Sequence, residues 1–333
     1  MPLARTRIGV SIVAGLASWV LLSAQQSDVS SDTGVPRIGY LGLRPLTESG
    51  APIAALKNGL RDLGYAEGKH YVFDLRLADN DPNRYPELID ELTRLRVKLI
   101  VAASTPAAVA IHKANPTMPI VVRGPDIVGA GLAESVSHPG GVATGVDELA
   151  AGLSERRLRL LKQAVPSISR VAVLSSAPTE GGHRTAFAEA EQAATAVGIA
   201  VRVFRVSATT NFEPLFADLA RDGVDAVFCS GGVLPRPVEQ RIVELVTQHR
   251  LPAIYPFRDY VDLGGLISYA YRNAEMFRVA ATFVDNILKG ANAGDLPLII
   301  WDRHYLTVNV RAAAALGITL PPALLSRADE VVK

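Results

Sequence analysis

The chain has 333 residues, 49% hydrophobic and 20% charged, with a formal net charge of +1. That length suits about two domains and that balance a soluble globular protein, and it offers no basic footprint for nucleic acid or for an anionic membrane surface. The single cysteine, Cys229, excludes an internal disulfide, so stability must come from core burial.

Arg5 and Arg7 precede an apolar stretch from Ile8 to Leu22, and a polar run follows from Ser23 through Asp28. A basic start, an apolar centre and a small-residue exit describe a secretory signal peptide, residues 1–24, and so a periplasmic protein. Leu22 fits the −3 position imperfectly, which leaves an uncleaved anchor as the alternative. Without residues 1–24, which carry two arginines and no acid, the net charge falls from +1 to −1. Residues 25–35 are polar and small and read as a linker.

Beyond the linker, short β-branched runs alternate with longer segments of helical spacing, the pattern of βαβ units on a parallel sheet. The first series predicts strands over 37–41, 71–77, 99–102, 120–122 and 143–146, and helices over 51–63, 85–95 and 107–114. Gly64 suits the C-cap of the first helix, and Ser104-Thr105-Pro106 the start of the third. The second series predicts helices over 154–165, 185–197, 212–222, 237–249 and 274–288. Its strands fall over 170–174, 200–205, 226–229, 253–255 and 265–268. Two consecutive α/β series imply two similar lobes, with the boundary between Pro139 and Gly145.

Ligands of open parallel α/β sheets bind beyond the carboxyl ends of the strands. The candidate binding residues are therefore Leu43, Arg44, Ser104, Thr105, Arg123 and Asp126 in the first series. In the second they are Ser176, Ser230, Gly231, Tyr255, Phe257 and Tyr269. Ser104 and Thr105 put hydroxyls and free backbone N–H groups at a helix start, which either caps the helix or docks an anion. Ser230 and Gly231 offer bare amides, or only a turn. Tyr255, Phe257 and Tyr269 are flat amphipathic walls or core residues. Arg44 and Arg123 read as ligand contacts or solvated charges, and Asp126 as a partner for an ammonium or a turn cap.

No catalytic pattern emerges. The six histidines are scattered without metal-ligand spacing, and no nucleophile elbow or phosphate loop is present. Gly129-Ala-Gly131-Leu-Ala-Glu134 lacks the third glycine of a dinucleotide fingerprint and does not follow the first strand. Neither a metal nor a cofactor is expected, and Cys229 reads as a small buried hydrophobe.

Several pieces in order along the chain resemble the ABC-transporter substrate-binding proteins of the group with tryptophan- and aromatic-amino-acid-binding members. They are Arg37-Ile-Gly-Tyr-Leu41, Gly59-Leu-Arg-Asp-Leu-Gly-Tyr65, Thr105-Pro-Ala-Ala108, Val128-Gly-Ala-Gly-Leu132 and Gly264-Gly-Leu-Ile-Ser-Tyr269, with the tail Ala315-Leu-Gly-Ile-Thr-Leu-Pro-Pro322 the most specific. The resemblance implies a type I periplasmic-binding fold: two Rossmann-like α/β lobes with parallel sheets, joined by a three-segment hinge. One lobe would hold 36–144 plus 270–292, the other 145–269 plus 293–333. Helix 274–288 would return to the first lobe and strand 304–308 to the second. The resemblance also implies a monomer that captures an amino acid or other small carboxylate by hinge closure, with Ser104, Thr105, Asp126 and Tyr269 as contacts, and presents it to a membrane permease. Ser175-Ser-Ala-Pro178 stands where the family often has an Asn-Pro turn, and Ile127 where it often has Pro, so the solute stays open. Rival readings are a ligand sensor acting on a membrane signalling partner, an exported α/β enzyme, and a repressor-type effector domain, which the N-terminal export signal disfavours.

Overall fold

A computed structural model describes residues 34–148, 152–176, 180–231 and 234–333. The proposed signal peptide and most of the linker lie outside the described residues, as do Gly232 and the segment 177–179.

The first series builds β1 (Arg37–Gly42), α1 (Leu46–Asp62), β2 (Val72–Leu77), α2 (Tyr85–Arg94), β3 (Leu99–Ala102), α3 (Thr105–Ala114), β4 (Ile120–Pro125) and β5 (Ala143–Glu148). The second builds α4 (Leu153–Ala164), β6 (Arg170–Ser175), α5 (Glu180–Val197), β7 (Ala200–Arg205), α6 (Phe212–Arg221), β8 (Ala226–Gly231), α7 (Arg236–Gln248), β9 (Ala253–Tyr255), α8 (Asp259–Asp262) and β10 (Ile267–Ala270). The chain then runs through α9 (Asn273–Leu288), β11 (Ile299–Trp301), β12 (Tyr305–Asn309), α10 (Val310–Ala315), α11 (Pro322–Leu325) and β13 (Glu330–Val332).

Two sheets result, ordered β11-β5-β4-β3-β1-β2 and β13-β12-β10-β9-β8-β6-β7. The first pairs in parallel throughout, and the second is parallel except where β12 runs antiparallel to β10. Apolar clusters cover both faces of each sheet, which is why strands such as Leu-Ile-Val-Ala over 99–102 are buried along their whole length.

The chain passes between the sheets three times among the described elements, after Glu148, after Ala270 and after Trp301. β5 stays in the first sheet through Glu148 and β11 returns to it, so that sheet reaches past the expected limits at 144 and 292. The extra strand β11 is only three residues long and sits at an edge, too short for a periodic signal. Helix α9 returns to the first lobe, where Met276, Phe277, Ala280, Ala281 and Val284 join its core. It packs closely on α1 because position 59 is glycine: a Cβ there would lie 2.7 Å from Ala281 Cβ and 2.7 Å from the Arg278 carbonyl. Helix α1 begins at Leu46, earlier than expected, and carries Pro52 inside it.

Candidate functional site

On the first lobe, three strand exits converge. Ser104 caps α3, its Oγ accepting from Ala107 N at 3.3 Å. Thr105 Oγ1 donates to the Pro125 carbonyl at 2.6 Å, tying the α3 start to the β4 exit. The approach is close because residue 124 is glycine; a Cβ there would meet Thr105 Oγ1 at 2.5 Å. Asp126 follows with φ of 56°, a left-handed backbone that Asp tolerates better than most residues. Asp147 pins this turn by accepting from Asp126 N at 2.9 Å and Ile127 N at 2.8 Å, while Asp126 accepts from Gly129 N. Thus Ser104, Thr105 and Asp126 stand together on one rigid rim, their hydroxyls already engaged. Leu43 packs nearby against the core under α2 and α3.

Arg44 leaves this rim and reaches the other lobe. Its Nη2 donates to Glu239 Oε1 at 2.8 Å and to the Leu234 carbonyl at 3.3 Å, and its Nη1 to Glu48 at 2.9 Å. Glu239, in the first turn of α7, has no exposed surface. Burial raises its carboxyl above the usual glutamate range, with Arg44 pulling the other way. A clasp between the lobes therefore sits where sequence reasoning expected only a ligand contact or a solvated charge.

At the hinge a second cluster forms. Arg123, from β4, pairs with Glu148 of the first crossing at 2.7 Å and lies over the Tyr271 ring of the second, 4.7 Å from its centre. Phe277 borders it at 6.0 Å, and Phe257 meets Tyr271 edge-on at 6.1 Å. From the other side Arg157 of α4 donates to the Tyr269 carbonyl at 2.9 Å, and to those of Pro256 and Ser230 at 3.2 and 3.5 Å. It thereby closes the carboxyl ends of the adjacent strands β8, β9 and β10. Burial lowers the Arg157 pKa to about 10, with Tyr271 and Glu148 opposing. Burial raises the Glu148 carboxyl, and Arg123 draws it back. Arg123 alone pairs with the Glu148 carboxylate, Arg157 lies within electrostatic reach of it while bonded to backbone carbonyls, and Arg123 Nε has no hydrogen-bond partner.

The remaining second-lobe candidates divide. Ser176 Oγ donates to the Gly231 carbonyl and Ser230 Oγ to Leu174 O, so Ser176, Ser230 and Gly231 form one exit cluster. Tyr255 does not line an opening: it is fully buried and stacked on Tyr260 at 4.9 Å, over Gly265, where a Cβ would meet its ring at 2.6 Å. Its place in the core follows from β9 being covered on both faces. Tyr269 turns toward the third crossing and stacks on His304 at 5.3 Å.

Glu148, Arg157, Glu239 and Tyr271 were not among the expected site residues. Arg157 could have been found, since it occupies the apolar stripe of α4 with Leu160, Leu161 and Ala164, a charge at a core position. Glu239 carries the same signal on the α7 stripe with Ile242, Val243 and Val246, but not the identity of its partner, which is 195 positions away.

Residues 51–332 match the family model described as ABC transporter substrate binding protein. A tyrosine-binding protein of Clostridioides difficile strain R20291 is 22% identical over 315 residues, 93% of this chain and 90% of the relative. Among solved structures, an ABC domain in complex with L-Trp from Streptococcus pneumonia shares 23% identity, with a TM-score of 0.79 over 90% of this chain and all of that one. A conserved domain protein from Vibrio cholerae gives a TM-score of 0.80 at 23% identity, covering 89% of this chain and 99% of that one.

Proposed function

The chain belongs to the ABC transporter substrate-binding protein family, and from that premise we propose that it captures a small aromatic or amino-acid carboxylate in the cleft between its lobes. Closure about the three crossings traps the solute outside the cytoplasm, and the closed surface is what a membrane permease reads. The observation that carries this reading is the hinge cluster: the buried Arg123–Glu148 pair, with the Arg123 Nε unpartnered and the buried Arg157 in electrostatic reach, beside Tyr271, Phe257 and Phe277. Two buried guanidiniums with one acid beside them suit a ligand carboxylate, and the flat rings suit an aromatic body. The tyrosine- and tryptophan-binding relatives support the same ligand class. On the first lobe, Asp126 suits the ligand's ammonium, and the Ser104–Thr105 backbone its polar edge. A ligand that touches both lobes binds the closed form better and shifts the population toward it without any bond being made.

A thermal-shift and calorimetry screen of tyrosine, tryptophan, phenylalanine, aliphatic amino acids and hydroxybenzoates tests the reading. Saturation at one hundred times the dissociation constant stabilises by about 2.7 kcal/mol. Aromatic carboxylates are expected to bind one-to-one, and a screen in which none of them shifts the melting temperature refutes the proposal.

A further inference from the structure

A groove of about 340 Å³ lies on the second lobe against the third crossing. Its walls come from Arg156, Arg159 and Gln163 of α4, from Arg327 in the C-terminal tail, and from the stacked rings of Tyr269 and His304. No residue of the first lobe lines it, so it is separate from the interlobe cleft.

Its chemistry is dominated by donors. The Arg156 side chain has no hydrogen-bond or ion-pair partner among the described residues. Arg327 donates to the side-chain carbonyl of Gln163 at 3.1 Å, which leaves the Gln163 amide nitrogen available. Arg159 is shared with Glu155 at 2.7 Å. The acid on the rim, Asp329, already accepts from Leu306 N at 2.8 Å. His304 Nδ1 lies 2.9 Å from the Asp302 carbonyl, which places the ring proton there. The opposite nitrogen, Nε2, is buried with no hydrogen-bond partner.

We propose that this groove is a second ligand site, for a small free oxyanion of the phosphate or carboxylate class, held by Arg156, Arg159 and Arg327 with His304 Nε2 as a further donor. Guanidinium forks match the paired oxygens of such groups, and three from two elements give them a converging set. Donation from Nε2 requires the ring to take up a second proton. In the free protein burial favours the neutral ring, the Asp302 carbonyl favours the charged form, and Arg157 and Arg156 disfavour it. The other groups beside the ring are the Asp302 carboxylate and the phenols of Tyr269 and Tyr271. An anion beside Arg156 reverses that balance, so occupancy couples to proton uptake at the third crossing.

Inorganic phosphate is the probe. Proton–carbon NMR of the full chain follows the His304 Cε1–H signal, identified by its loss in His304→Gln. Phosphate is expected to shift it saturably toward the imidazolium position. The double variant Arg156→Ala/Arg327→Ala alters two exposed side chains and is expected to weaken that binding by roughly tenfold or more. Arg156→Gln provides the same test with a smaller change. No saturable shift overturns the proposal, as does wild-type affinity in both variants. Binding to phosphatidylglycerol vesicles without any response to free phosphate overturns it in favour of a membrane contact. Solute capture in the cleft is read separately by calorimetry with aromatic amino acids, so failure there does not register in the histidine signal.

Discussion

Arg44→Ala tests whether the cross-lobe clasp sets the balance between open and closed forms. The substitution removes two bonds that join the lobes, to Glu239 Oε1 and to the Leu234 carbonyl, and one within the first lobe, to Glu48. A charge-assisted hydrogen bond contributes about 1.5–3 kcal/mol. The Arg44 side chain is 18% exposed and Glu239 is fully buried, so the pair is little screened in this structure. Opening returns both to water, and Arg236 stays 3.7 Å from Glu239 as partial compensation. A shift of about 1.5–2 kcal/mol toward the open form follows, and apparent ligand affinity falls by roughly 10- to 30-fold. Calorimetry on the wild type, Arg44→Ala, Glu239→Ala and the double variant closes a cycle that isolates the pair. Additive single effects, or a dissociation constant for Arg44→Ala within about twofold of wild type, would refute the reasoning.

Other parts of the account give sharper structural tests. Gly145→Ala places a Cβ 2.0 Å from the Val122 carbonyl at a φ of 141°, so β5 must part from β4 just before the first crossing. It is expected to cost about 3 kcal/mol or more in urea unfolding, and a loss under about 1 kcal/mol contradicts the packing. Arg157→Met strands the carbonyls at the ends of β8, β9 and β10, and should destabilise by about 3 kcal/mol in the same assay. Arg123→Met removes half of the proposed carboxylate dock, and calorimetry should show aromatic-ligand affinity falling by roughly tenfold or more. For Asp225, burial raises the carboxyl, but bonds from Ser169 Oγ, Ser169 N and Arg170 N outweigh it and hold it below the usual aspartate range. Its contribution is therefore whole above about pH 4 and is lost as the pH falls through the depressed value. Asp225→Ala should cost about 1 kcal/mol near neutrality and nothing in strong acid, read from melts across pH.

The element order was legible because its cause is local. Continuous apolar runs such as 99–102, and glycines closing helices at 64, 198 and 290, mark boundaries without knowledge of the fold. Strands 99–102, 200–205 and 253–255 stand at the limits read from the sequence. Short edge strands such as β11 and β13 were not legible, since three residues carry no period. The helix expected over 51–63 begins earlier, at Leu46, with Pro52 inside it. For the site, strand exits named loops that the structure brings together on each lobe, but loops do not reveal which side chains meet across a hinge. Arg44 and Arg123 were found from position alone, while Glu239 and Glu148, which complete their charges, depend on how the two sheets are set against each other. Tyr255 shows the converse error: it borders an exit in sequence, but its ring points into a doubly covered sheet.

The central claim is that two lobes clamp a guest between them. Spin labels at Lys113→Cys on α3 and Arg221→Cys on α6 would sit on exposed surfaces of opposite lobes. The native Cys229 is buried, and burial raises its thiol pKa to about 12, so it will not compete for the label. Pulsed electron resonance should show a broad distance distribution in the free protein that narrows and shortens when a saturating aromatic amino acid is added. An identical distribution with and without a ligand that calorimetry shows to be bound would contradict the account.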